Sequence, residues 1–304
     1  MTISGQSPPT FRAFGFTVCS EIDLPELPLT PASGSPDVVV RTGTVPATLE
    51  HATVKSGWFQ VEDHRFLLDV PGVARYLVAE GTSVTVDASA EGDPDSVRLF
   101  LLGSVFGALL HQRGLAPIHG SAIETPAGAV VFAGRSGSGK SALAAAFHAR
   151  GYPVITDEIC AVSSVFGAFC VRPAFPRVLL WPKIVEQLTL QGPNIHAARP
   201  NLRKLHVPLD HGFATVPCRI HHIYLLTTTN TRSFTLTPVE GFDRVRKLLR
   251  VTFRRSFLSG SLAKAAHFDR TMALARDVGM TQIARPAAGP FLETADLLER
   301  DFNP

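Results

Sequence analysis

One stretch restricts this chain more than any other: Gly134-Arg135-Ser136-Gly137-Ser138-Gly139-Lys140-Ser141. It satisfies G-x-x-x-x-G-K-[ST] at every fixed position. Residues 129–133 before it (Ala-Val-Val-Phe-Ala) are apolar and β-branched, and read as a buried strand. Residues 141–150 after it are alanine-rich, with Leu143, Ala144 and Phe147 at helical spacing and Gly151 as a stop. Strand, glycine loop and helix in this order let backbone N–H groups converge on phosphate oxygens, and the helix N-terminus adds partial positive charge. Gly134, Ser136, Gly137, Ser138, Gly139, Lys140 and Ser141 are therefore the cofactor-binding candidates. Lys140 is expected to reach the β/γ-phosphates of ATP, and the Ser141 hydroxyl to hold Mg²⁺.

A phosphate loop leaves the use of the phosphate open. Residues 154–158 (Val-Ile-Thr-Asp-Glu) narrow it, because they set Asp157 and Glu158 at the end of an apolar strand. Such a pair suits Mg²⁺ coordination or deprotonation of an attacking hydroxyl. Only a helix, a turn and one strand fit between Lys140 and Asp157, a shorter span than transport or helicase ATPases use. No N-K-x-D guanine-reading motif is present. His119 lies on a strand expected over 116–124, beside the loop strand. Taken alone, a single histidine is more often packed than catalytic.

Over residues 115–162 the chain resembles the C-terminal catalytic domain of HPr kinase/phosphorylase and its kinase relatives. The matching blocks are Ile118-His119-Gly120-Ser121-Ala122, residues 134–141, Arg150-Gly151 and residues 154–159. The family's usual acidic pair is Asp-Asp, so Glu158 departs from it. A softer likeness, to stand-alone relatives encoded near lasso-peptide clusters, extends over Arg98-Leu-Phe-Leu-Leu-Gly-Ser104, Gln112-Arg113-Gly114 and Arg177-Val-Leu-Leu-Trp-Pro182. The resemblance implies an α/β fold: a P-loop kinase domain of the HPr kinase/PEP carboxykinase-like type at 93–304, with a β-rich N-terminal region at 1–92. It implies an ATP- and Mg²⁺-dependent serine kinase acting on a peptide or small protein, with a lasso-type precursor as one candidate. Lys140 would stabilise the transferring phosphoryl group. Asp157 would be the base, tuned by His119, and Ser141 with Glu158 would hold Mg²⁺; the two acidic roles are interchangeable, so Asp157 is also a metal candidate. A homo-oligomer is implied too. The C-terminal helix signature with which the bifunctional enzymes bind HPr is not found, which speaks against HPr as acceptor and against phosphorolysis.

Two other functions fit the residues. A small-molecule kinase would want an arginine-rich lid after the acidic strand, and 164–200 is poor in arginine. A non-catalytic nucleotide-binding partner would not need Lys140 and Asp157, and both are present. A net charge of +3 over 304 residues gives no reason to expect nucleic acid. The basic run at 244–255 reads as the solvated face of an amphipathic helix, with a contact surface for an acidic substrate as the minority reading. Arg177, Arg203 and Lys204 are candidate phosphate or substrate contacts, although surface charge is the commoner role for such residues. Cys19, Cys160, Cys170 and Cys218 lack C-x-x-C spacing and read as core residues of a reducing compartment. With no leader pattern and no membrane-length apolar run, a cytoplasmic location away from membranes is expected.

The remaining pattern predicts a frayed 1–9, a strand over 11–19, and further short strands to about 90. A buried helix follows over 96–113, with Asp95 as its cap, then a loop over 191–200. Residues 253–278 are expected to form a helix, 282–285 a short strand and 293–301 a final helix.

Overall fold

The computed structural model describes residues 8–230, 233–286 and 291–302; most of the frayed segment expected at 1–9 lies outside them. The chain is mixed α/β with several sheets. Eight short strands come first: β1 Thr10–Ala13, β2 Phe16–Ser20, β3 Val38–Thr42, β4 Val54–Lys55, β5 Phe59–Glu62, β6 Arg65–Val70, β7 Ala74–Ala79 and β8 Ser83–Ala88. They form one sheet in the order β1-β2-β3-β8-β7-β6-β5-β4. The β2–β3 and β3–β8 pairs are parallel and the others antiparallel. The single strand expected over 11–19 is a hairpin. Phe14 (φ 53°) and Gly15 (φ 76°) turn the chain back, so that Ala13 pairs with Phe16.

The helix expected over 96–113 starts earlier, as α1 Pro94–Phe100. It continues through a π turn at Leu101–Val105 into α2 Phe106–Gln112. Its cap is Asp93, whose carboxylate accepts from the Ser96 N–H at 2.8 Å. The expected cap, Asp95, sits in the first turn and pairs with Arg98. Proline tolerates the first helical position because its missing N–H is unpaired there in any residue, which sets the boundary at Pro94. Leu101, Leu102, Val105, Phe106, Leu109 and Leu110 are buried in one core with the face of the first sheet. Tyr76 on that sheet donates its hydroxyl to the Val97 carbonyl at 3.0 Å.

The second half holds β9 Ala116–Thr125, β10 Gly128–Gly134, α3 Lys140–Ala149, β11 Val154–Thr156, β12 Ile159–Val165, β13 Ala168–Arg172, β14 Arg177–Leu180 and α4 Pro182–Gln187. There follow β15 His196–Ala197, β16 Leu205–Pro208, β17 Cys218–Thr229, β18 Thr235–Pro238, α5 Phe242–Val251, α6 Ser261–Asp277, β19 Gly279–Pro286 and α7 Phe291–Phe302. The pairings of β10, β9, β12, β13 and β17 close on themselves, since β17 returns to pair in parallel with β10; β19 and β18 extend the sheet beyond β17. Strand alternation separates two cores. Ala129, Val131 and Ala133 of β10 point towards α5 and α6. Val130 and Phe132 point towards α3 and α7. The strand preceding the phosphate loop is thus buried on both faces, which fixes the loop's root. A small third sheet, β14-β16-β15, takes in part of the expected loop at 191–200.

One expectation fails next to the site. The helix expected over 241–251 is present as α5, but the one predicted over 253–278 begins only at Ser261, as α6, after a 3₁₀ turn at Arg255–Phe257. Long-range contacts override the helical pattern here. The Phe253 N–H donates to Pro117 O at 2.8 Å, and Thr252 bridges to Ile118. The basic face of α5 is as expected, with Val245 and Leu248 buried while Arg246 and Arg250 are exposed. All four cysteines are free thiols, and Cys160, Cys170 and Cys218 are buried. Among the described residues no helix is long and apolar enough to cross a membrane.

Candidate active site

The glycine-rich loop that carries the phosphate-loop sequence pattern joins β10 to α3. Gly137 (φ 83°) and Gly139 (φ 102°) adopt left-handed backbone that a side chain would resist, and Gly139 is the helix cap. The loop is held from inside by Ser138 N–H donating to Arg135 O at 3.2 Å. Lys140 is buried, and its Nζ donates to Arg135 O at 3.0 Å. Burial lowers its pKa to about 8, with Lys204 adding to the shift and Asp157 and Glu158 opposing it. The Ser138 hydroxyl is buried without a partner. From outside, Arg285 of β19 donates Nε–H to Ser138 O at 3.1 Å.

Asp157 and Glu158 form the link between β11 and β12, both of which pair with β9. Glu158 has φ 73°, a strained value for a residue with a side chain, and Gly120 N–H donates to its carbonyl at 3.2 Å. Asp157 is buried and held on both carboxylate oxygens. The Ser121 hydroxyl donates to Oδ1 at 2.6 Å, and the Leu179 N–H of β14 donates to Oδ2 at 2.9 Å. Two acceptor positions remain on it. His119 and Ser121 are two apart on β9 and so share a face. His119 is half-buried, with its ring 5.7 Å from that of Phe253. Burial lowers its pKa to about 4, reinforced by Lys140, Lys204 and Arg254 and opposed by Asp157, so it is neutral at pH 7.

A cavity of about 690 Å³ brings these groups together: His119, Ser136, Gly137, Gly139, Lys140, Ser141, Asp157 and Glu158 all line it. Gly134 and Ser138 do not line it; they lie beneath, one ending β10 and the other buried at the loop base. The expected surface role fits Arg203, which is exposed, but not its companions. Lys204 lines the cavity, and Arg177 is buried below it among charges that include Glu158 and Asp157. Sequence reasoning gave no site role to Leu179, Trp181, Lys183, Phe253, Arg285 and Phe291, which also line the cavity, or to Ser121, which bonds Asp157. Arg254 lies in the basic run at 244–255, for which contact with an acidic substrate is the minority reading, and Ser121 carried a usable signal in its two-residue spacing from His119. The others arrive through strand register and through the irregular segment after α5, neither of which a local pattern encodes.

No cluster of three or more His, Cys, Asp or Glu suited to a metal occurs among the described residues. Ser141 and Glu158 both face the cavity, and the buried Ser138 hydroxyl lacks a partner. One hydroxyl, one or two carboxylates and nucleotide phosphates are the usual Mg²⁺ donors in such loops, so the residues present fit a metal that enters with the nucleotide.

No family model and no curated protein matches the chain. Among solved structures it is similar to the Hpr(Ser) kinase/phosphatase from Coxiella burnetii, with 11% identity and a TM-score of 0.30, covering 60% of this chain and 86% of that one.

Proposed function

We propose that the chain is an ATP- and Mg²⁺-dependent kinase that phosphorylates a serine hydroxyl of a peptide or small protein, a lasso-type precursor being a candidate, in the cytoplasm. The observation that carries this is that one cavity is lined by the glycine-rich loop with Lys140, by the fixed, buried Asp157 carboxylate and by His119. The reading keeps the division into a β-rich 1–92 and a catalytic 93–304, and a homo-oligomer as the working assembly.

The geometry supports the following roles. Backbone N–H groups of the loop cradle the phosphates, and Lys140 turns from Arg135 O towards them. The Ser121 and Leu179 hydrogen bonds orient Asp157, whose remaining acceptor positions take the proton of the incoming hydroxyl. Neutral His119 places no positive charge near Asp157 that would lower the basicity of the carboxylate. Ser141 and Glu158 would hold Mg²⁺, which when bound neutralises charge on the β- and γ-phosphate oxygens.

Purified protein with ATP·Mg²⁺ and serine-containing peptides tests this through transfer of labelled phosphate. Lys140→Ala should lower transfer by about 10³-fold, as removal of an electrostatic stabiliser does. Asp157→Asn should lower it by about 10²–10⁴-fold, the range for general-base assistance. Full transfer by either variant would show that the assignment of that residue is wrong.

A further inference from the structure

Five cationic side chains line the cavity (Lys140, Lys183, Lys204, Arg254 and Arg285) against two carboxylates, Asp157 and Glu158. They divide by position. Lys140 and Arg285 are bonded to the phosphate loop itself. Among the described residues Arg254 is not bonded to the loop. It follows Phe253, whose ring stands 5.7 Å from that of His119, and its charge is one of those that depress the histidine. Lys204 also lines the cavity and adds positive charge near both Lys140 and His119. Neither Arg254 nor Lys204 makes an ion pair among the described residues.

Arg254 is also held at a cost. Its backbone is left-handed (φ 48°, ψ 46°), which a non-glycine residue adopts only when its surroundings impose it. Here they do. Phe253 is fixed through its N–H to Pro117 O at 2.8 Å and through His111 Nε2 on its carbonyl at 2.8 Å. His267 engages Thr252 at 3.1 Å. The guanidinium lies 5.8 Å from the Phe253 ring and 5.9 Å from the Phe257 ring. An unpaired cation has thus been pre-set in the cavity lining beside Phe253, whose ring neighbours His119.

We infer that Arg254, assisted by Lys204, forms an acceptor subsite that reads a carboxylate next to the reacting hydroxyl, so that the acceptor is an acidic peptide segment. This deepens the kinase assignment and rests on it. A guanidinium recognises a carboxylate through paired, charge-assisted hydrogen bonds. Lys140 and Arg285 are the cations bonded to the loop where a nucleotide's phosphates would sit, which leaves Arg254 for another anionic partner.

The test uses capped serine peptides flanked by Asp, Ala or Lys, together with L-serine as a free hydroxy acid. Binding is measured by calorimetry on the full chain saturated with Mg²⁺ and a non-hydrolysable ATP analogue, and transfer is measured with ATP. The Asp-flanked peptide should bind on the order of 10-fold more tightly than the Ala-flanked one, the scale of a charge-assisted hydrogen bond. Arg254→Gln should erase that preference and leave nucleotide affinity unchanged; Arg254→Glu should shift it to the Lys-flanked peptide. Arg250→Gln, on the exposed face of α5, is the control. Equal binding of all three peptides by the unmodified chain, or no binding of any, overturns the inference even if the Arg254 variants fold poorly. A preference that survives Arg254→Gln also overturns it. Binding of L-serine alone overturns the peptide assignment. Charge-selective peptide binding without transfer supports the subsite and sinks the kinase assignment; transfer without selectivity does the reverse.

Discussion

Lys140 is charged in the folded protein only because its surroundings nearly balance. Burial and Lys204 push its ammonium towards neutrality, while Asp157 and Glu158 pull the other way, which leaves its pKa at about 8. Phosphate binding needs the charged form. Nucleotide affinity should therefore hold steady below about pH 8 and weaken as pH rises above it. Titrating a fluorescent ATP analogue between pH 6.5 and 9.5 checks this. Lys140→Arg keeps its charge throughout, so its affinity should show no such fall. An identical alkaline decline in that variant would assign the effect to another group. Asp157 illustrates a different residue-scale point. Its two hydrogen bonds come from β9 and β14, so the carboxylate is aimed by two strands remote from each other in sequence.

Among the elements, the break between α5 and α6 does the most to shape the site. The Phe253 ring packs against α2 at Gly107, where a Cβ would meet the ring at 2.5 Å. The ring is buried and its backbone is tied to β9 through the Phe253 N–H, which limits how far it can shift. Gly107→Ala would raise helix propensity at an ordinary position by about 0.5–1 kcal/mol. Here overpacking should dominate and destabilise the chain by about 1–3 kcal/mol. It should also shift the segment carrying Arg254. Chemical denaturation compared with acceptor KM checks both effects, with nucleotide affinity as the internal control. A more stable protein with an unchanged KM would show that Phe253 accommodates the methyl group.

At the scale of the whole molecule, buried histidines make stability depend on pH. Burial lowers His111, His119 and His267 to about 4 and His206 to about 3, against an ordinary value of 6.5. Between those values the unfolded chain binds protons that the folded chain refuses. Stability should therefore fall as pH drops from about 6.5 towards 4, and these groups contribute no slope above 6.5. Thermal unfolding across that range measures it. His206, with neither ring nitrogen hydrogen-bonded, is the residue to vary. His206→Gln should flatten part of the slope, and an unaltered slope would assign it to carboxylates.

Much of this was legible in the sequence wherever a local pattern had one physical meaning. The phosphate loop could be read because its glycines, lysine and serine act within eight consecutive residues, on a strand and a helix that they themselves terminate. The acidic link at Asp157 and Glu158 was legible for the same reason, and so was the alternation that buries β10 on both faces. Position across the cavity was not. Phe253 and Arg254 sit in a run whose periodicity favours one helix, and the contacts that break it come from Pro117, Ile118 and His111, over a hundred residues away. Arg285 reaches the loop only because β19 pairs with β17 in one register out of several that the same apolar strand could take. The sequence by itself determined that a glycine-rich loop ending in Lys140 and Ser141 would join a buried strand to a helix and that an acidic pair would end the next strand, since both are short-range patterns. Tertiary structure alone decided which cations face that carboxylate, because strand register and helix breaks are settled by the free energy of the whole packed chain.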